Sequence, residues 1–372
     1  MSLDNRLDAW VAEGLIDLSA ADAIRTFEAR REKPVARWAI AGLGLLAVLL
    51  GIILVISANW DLIPRGVKLS GHMALLAATA AAHWWARCSG RPRVAEGALF
   101  LFAGLVLAGI ALQSQIYQLT GPVWHALLLW LLIAGPALLV GGRTRLTGFA
   151  LAAMALVGPA VMAADTVDAG GPWRLAQGAA MAVPALLIAL SIGLAGRPGF
   201  RLALREAGIL TILMGASIAH FAWASNIRPE QALDNAVRLI PAALVSFGAI
   251  LLGWRRPGEL PRSLLLPLLA GPPLAVALAL AIPHPDTMAS RLAGIAVFMG
   301  LWAAIARAAA AEGWTSLFGV AIAAIALRIF IIYIELFGSL AATGGGLILG
   351  GILMVGLSWL WHRIVTARKA AG

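Results

Sequence analysis

The chain of 372 residues is 61% hydrophobic and 12% charged, carries a formal net charge of +10 and holds a single cysteine, Cys88. Apolar runs near the ~20 residues needed to cross a bilayer recur along it, which excludes an ordinary soluble domain and a disordered chain. One cysteine leaves no internal disulfide, and with no zinc-type His/Glu or Cys/His spacing and no glycine-rich phosphate loop after a strand, the expectation is a non-enzyme without metal or cofactor.

Residues 1–37 form the first predicted unit, a polar segment with no cleavable signal. Leu3, Leu7, Trp10 and Val11 recur at helical spacing, Gly14 interrupts them, and Ser19 with Asp22 reads as an N-cap ahead of Ala20, Ala23, Ile24 and Phe27. A short amphipathic helical hairpin is expected. It would rest on the bundle or the lipid surface, or dock a protein partner.

Twelve transmembrane spans follow, at about 38–58, 66–86, 94–113, 122–141, 145–164, 174–195, 203–224, 237–254, 263–282, 289–310, 314–336 and 342–362. Proline and glycine inside several of them predict kinks, and the Gly271-Pro272-Pro273 step marks the ninth as the span to be broken. The fold class is therefore all-α, a polytopic membrane helical bundle.

Lysine and arginine near span ends stay on the cytoplasmic side. With the N-terminus inside, 21 basic residues face the cytoplasm and six (Arg65, Lys68, Arg174, Arg228, Arg238, Arg291) face outside, with Arg328 within a span. Both termini are then cytoplasmic. The basic balance reports topology and contact with anionic lipids at that face, with no nucleic acid implied.

Two copies of one unit are visible in the chain. Nine of fifteen positions match when Gly142–Leu156 is laid over Gly313–Leu327, and Val67-Lys68-Leu69 corresponds to Val237-Arg238-Leu239, each cation followed sixteen residues later by a tryptophan, Trp84 or Trp254. A parallel 6+6 internal repeat is expected, with halves at 38–196 and 197–372, and such halves often build a substrate site at their interface.

The strings Gly51-Ile-Ile-Leu-Val-Ile-Ser-Ala-Asn59-Trp60-Asp61 with Ile63-Pro64 and Lys68, and Ala108-Gly109-Ile-Ala-Leu-Gln113-Ser-Gln115-Ile-Tyr117-Gln118, resemble the bacterial membrane-protein family called domain of unknown function 2157. Gly14-Leu15-Ile16 in the N-terminal helices is similar as well. The resemblance covers roughly the first 140 residues well and the remainder loosely. It implies a bacterial inner-membrane protein and brings no catalytic residues with it.

Candidate site residues are then the polar groups that lipid makes costly. Asn59 and Asp61 end the first span, Lys68 and His72 open the second, and Gln113, Gln115, Tyr117 and Gln118 end the third. These groups either line a path or anchor the helices at the interface. Arg328 and Glu335 lie two turns apart in the eleventh span with Tyr333 nearby, and Asp165 falls one residue from the repeat position of Glu335. The two acids would form symmetric gates or a cation entrance, or Arg328 would pair with a carboxylate to fix packing. His220 with Asn226 is a titrating or a packing histidine, and Gly344–Gly346 with Gly350 and Gly351 is a close-packing face.

Two functions remain open. One is transporter- or channel-like handling of a small solute, ion or lipid between the repeats; the other is a non-transporting scaffold or regulator of an envelope process acting through residues 1–37. A continuous polar cavity at the repeat interface would favour the first, a solid apolar bundle the second.

Overall fold

The structure is a computed structural model describing residues 3–31, 47, 54, 58, 60–224, 232–256, 260–281, 287–337, 348, 350–359 and 361. For residues 3–5, 28–31, 222–224, 232–236, 279–281 and 333–337 it describes the backbone alone. The expected first span, 38–58, and the glycines 344–346 lie largely or wholly outside these residues. The chain is all-helical, with no strand among the described residues. It divides into two compact units, Met1–Lys68 and Leu69–Gly372.

The first unit carries two short helices, α1 (Leu3–Ala12) and α2 (Leu18–Arg31), joined at Gly14. Leu7 and Ala21 are its fully buried residues, and Arg25 bridges Asp8 at 2.6 Å and Asp22 at 2.7 Å. Gly14 ends α1 at φ 69°, and the Leu15 amide donates to the Trp10 carbonyl at 2.9 Å, the six-to-one bond of a Schellman turn that needs a left-handed residue. The cap of α2 differs from the Ser19 expectation. Asp17 precedes the helix, and its carboxylate accepts the Ala20 amide at 2.7 Å and the Ser19 hydroxyl at 3.0 Å. Those two bonds hold the Asp17 carboxyl below the usual carboxylate range. Ser19 fails as the cap because it already sits in the first turn, where its hydroxyl reaches back rather than forward.

A 3-10 turn at Trp60–Leu62 precedes α3 (Arg65–Cys88), whose first residues belong to the first unit. In the second unit follow α4 (Pro92–Tyr117), α5 (Val123–Gly141), α6 (Arg145–Asp165), α7 (Trp173–Gly193), α8 (Pro198–Ala224) and α9 (Ala232–Arg255). Then come α10 (Arg262–Leu265), a π-helical turn at Leu266–Ala270 and α11 (Gly271–Ala281). The last are α12 (Met288–Ala311), α13 (Thr315–Phe337) and the short α14 (Gly350–Trp359). The π turn falls in the expected ninth span, just before Pro272 and Pro273, whose missing amides cannot complete an α-helical ladder.

Among the described residues, eight helices are long and apolar enough to cross a membrane: α4 through α9, α12 and α13. The 24-residue α3, which carries Lys68, His72, His83 and Arg87, is not among them. Large apolar side chains such as Leu132, Val140, Leu210 and Leu244 remain exposed, the pattern of helices whose outer faces meet lipid tails.

From α4 to α8 each helix packs on the next, α12 packs on α13, and α7 lies closely along α9. Small residues permit this approach: a Cβ on Gly178 of α7 would strike the Arg238 carbonyl and Pro241 of α9, and one on Gly208 of α8 would strike the Pro184 carbonyl of α7. Two apolar cores result. One, around Leu99, Leu138, Met154 and Phe200, joins α4–α8; the other, around Ile188, Leu213, Leu265, Trp302 and Ile305, joins α7–α13.

Candidate functional site

One end of the bundle is held by side chains bonding to helix termini. Glu96 of α4 is buried, 6% exposed, and its carboxylate accepts the Arg143 amide at 2.9 Å, the Thr144 amide at 3.1 Å and the Thr144 and Thr147 hydroxyls at 2.7 and 2.6 Å. It caps the N-terminus of α6 from a neighbouring helix, where the macrodipole favours an anion. The C-termini at this end take cations instead. Arg197 donates to the Leu139 carbonyl of α5 at 2.5 Å, while Arg201 and Arg256 donate to the Ser191 and Gly193 carbonyls of α7 at 2.7 and 2.6 Å. Nearby, His83 places Nδ1 2.8 Å from the Ala95 carbonyl in the first turn of α4. A cavity of about 250 Å³ remains there, lined by His83, Arg87, Arg91, Glu96 and Arg143 among others.

The opposite end is held more loosely. Asp165, at the close of α6, accepts the Trp124 indole N–H at 3.0 Å, and the Trp124 ring meets Trp173 edge-on. Gln177 of α7 donates to the Thr166 carbonyl and, at 3.2 Å, to its hydroxyl, yet its buried Oε1 has no hydrogen-bond partner. Arg238 donates from one terminal nitrogen to the Val167 carbonyl at 3.0 Å, while its Nε is buried without one.

The residues singled out from sequence are dispersed. Asn59 lies outside the described residues; Asp61 is exposed in the 3-10 turn, and Lys68 places its ammonium 4.1 Å from the centre of the Trp60 ring. His72 lies against Gly109 of α4, where a Cβ would collide with its ring, and its buried Nε2 has no hydrogen-bond partner. Gln113, Gln115, Tyr117 and Gln118 are all exposed. Gln118 ends α4 at φ 50°, a left-handed conformation that usually selects glycine, with its amide bonded to the Ser114 carbonyl. Arg328 is buried to 1% exposure, its guanidinium 5.6 Å from the centre of the Phe221 ring and within the electrostatic reach of His220. His220 stacks obliquely on Phe298, ring centres 4.8 Å apart, so the cation lies beside an aromatic cluster from α8 and α12. The side chains of Tyr333 and Glu335, and with them the pairing of Glu335 with Arg328, fall outside the description.

A larger cavity that holds none of the candidate site residues opens between the helices of the bundle. It measures about 370 Å³ and is walled by α6, α7, α8, α9 and α11, with Leu156, Met181, Pro184, Ile212 and Val276 contributing apolar surface. Thr211 and Ser246 supply its hydroxyls, and the buried Ser246 Oγ has no hydrogen-bond partner. Pro272 and Pro273, immediately after the π turn, form part of the wall. The prolines gave a signal for this cavity. Glu96, which lines the smaller cavity instead, carries its own signal as a lone carboxylate inside the third apolar run.

Eight apolar helices of membrane-crossing length, packed through glycine contacts and exposing apolar outer faces, define a multi-pass helical membrane protein. Residues 8–148 match the family described as predicted membrane protein (DUF2157), from α1 into the first turn of α6. No curated protein and no solved structure matches the chain.

Proposed function

We propose that this membrane protein takes up an apolar or amphipathic small molecule, such as a lipid chain, in the cavity between α6–α9 and α11, and carries it in a transporter-like cycle. The observation that supports this reading is the cavity itself, whose volume of about 370 Å³ falls in the range of small-molecule sites. Its apolar wall with two hydroxyls suits such a ligand better than an inorganic ion, which would need charged or dense oxygen coordination. Its helices come from both sides of residue 197, the boundary of the two six-span halves that the repeat suggests, and one of them is interrupted by the π turn, as at many transporter sites. In this reading the chain has twelve spans and no enzymatic activity. The arginine-rich end faces the cytoplasm of a bacterium and both termini lie on that side.

A second reading rests on the hairpin. Leu15, Leu18 and Phe27 leave apolar side chains more than half exposed there, which favours a surface that docks on a protein or the bilayer. The protein would then scaffold or regulate an envelope process.

Gly215 offers the test, because a Cβ added to it meets no atom within 4 Å and the residue lines the cavity. Thermal unfolding of the detergent-purified protein against ions, metabolites and lipids should give a saturable rise with an apolar or amphipathic compound. Gly215→Leu should abolish the rise and Gly215→Ala should keep it. Uptake of that compound into proteoliposomes then separates carriage from static binding. No rise across the panel, or a panel in which every rise survives Gly215→Leu, overturns the reading and moves attention to residues 1–37.

A further inference from the structure

A second concavity lies on the other face of α8. Its apolar floor is formed by Leu202, Ile209, Leu210 and Leu213 of α8 and by Leu317 and Val320 of α13, and it measures about 550 Å³. At its arginine-rich end Arg205 places its guanidinium 5.1 Å from the centre of the Trp314 ring. A pocket of about 270 Å³, lined by Ser191, Pro198 and Arg201, adjoins it and shares Leu202 and Arg205.

Positive charge gathers at one end of this groove. Arg205 lies in the field of Arg201, and Arg201 in that of Arg256, so three guanidiniums raise one another's electrostatic cost. At Arg205 the attraction of Glu206 outweighs the repulsion of Arg201, and Glu206 is itself ion-paired to Arg145, which leaves the Arg201–Arg256 pair as the uncompensated repulsion. A phosphate placed among them would relieve the repulsion and accept several charge-assisted hydrogen bonds. Below them the apolar floor continues. From Arg205 to Leu213 the helix descends about 12 Å, most of the ~15 Å of hydrocarbon in one leaflet. Leu210 and Val320 are exposed along that path. A free phosphate would meet the cations and leave the floor bare, whereas a lipid satisfies both.

We propose that this groove is a binding site for one anionic glycerophospholipid of the surrounding bilayer, with its phosphate at Arg201 and Arg205 and an acyl chain along Leu210, Leu213 and Val320. The site shares no lining residue with the cavity assigned to the transported molecule, so either proposal stands if the other fails.

The test is thermal unfolding of the purified full-length protein titrated with dioleoylphosphatidylglycerol, with dioleoylphosphatidylcholine and with sn-glycerol 3-phosphate. Phosphatidylglycerol is expected to raise the midpoint saturably at concentrations at least tenfold below those phosphatidylcholine needs, and the soluble phosphate to leave it unchanged. Arg201→Gln with Arg205→Gln should erase that preference, whereas Arg93→Gln with Arg307→Gln, two exposed arginines elsewhere, should keep it. Val320→Trp, which fills the groove and leaves the cations in place, should also erase it and serves if the arginine variant does not fold. Equal response to the two lipids, a response to glycerol phosphate alone, preference surviving both site variants, or its equal loss in the control would each overturn the proposal.

Discussion

The two ends of the membrane bundle satisfy their polar groups differently. At the arginine-rich end the helix termini near Glu96, Arg197, Arg201 and Arg256 are closed by side chains from neighbouring helices or from the residues flanking them, each bond tying separate parts of the chain together. At the opposite end Gln177 and Arg238 each bury a polar atom without a partner, and the amides of α4 point into the open. A buried polar atom without a partner forfeits about 1–3 kcal/mol relative to a satisfied one. The first end is thus built to stay closed, and the second holds less to lose if it rearranges. Under the proposed transporter-like cycle, the rigid base is expected at the arginine-rich side and the moving gate around Asp165, Gln177 and Arg238.

The largest test of this contrast is Glu96→Ala. It removes the acceptor of two amides and two hydroxyls that sit between α4 and α6. The expected loss of stability is about 3 kcal/mol, moderated by water entering the adjoining cavity. Glu96→Gln should lose roughly half as much, because one of its two oxygens becomes a donor facing another donor. Thermal or denaturant unfolding in detergent measures both. A loss below about 1 kcal/mol in the alanine variant would remove Glu96 as the fastener of this end.

Gln118→Gly is the intermediate case, at the opposite end. The left-handed backbone at φ 50° costs a non-glycine residue about 1 kcal/mol, so glycine should stabilise the protein by up to that amount. If ligand response falls while stability rises, the strained glutamine is part of the gate; if only stability changes, it is a helix stop.

Much of this was legible in the chain. The apolar runs at 94–113, 122–141 and 145–164 coincide with α4, α5 and α6 because burial in lipid demands a continuous apolar stretch that composition alone exposes. Arg328 was legible for the converse reason, a cation where cations are costly. What the sequence could not convey is which partner a polar group finds. Arginines counted toward topology turned out also to cap α5 and α7, and Glu96 passed unnoticed because its donors lie 47 and more residues away. His72 meets Gly109 of α4, a contact between residues 37 apart that helical spacing within one span does not reveal. The cavity is likewise a property of five helices together, and only its prolines left a trace.

The smallest expected effect gives the sharpest contrast with Glu96. Gln177 is as buried as Glu96, 4% against 6% exposed, and also bonds across a helix boundary. Yet Gln177→Leu strands nothing. The Thr166 carbonyl still accepts the Ala169 amide at 3.0 Å, and the Thr166 hydroxyl still donates to the Met162 carbonyl at 2.7 Å. The variant also removes an oxygen that had no partner. Lost bond and relieved desolvation should cancel to within about 0.5 kcal/mol, against the several expected at Glu96. If Gln177→Leu instead costs as much as Glu96→Ala, both ends are equally fastened and the gate cannot be assigned to either by its hydrogen bonds. If stability is unchanged but uptake of the transported molecule slows, the polar atom kept at a cost in the closed form is one that finds its partner only when that end opens.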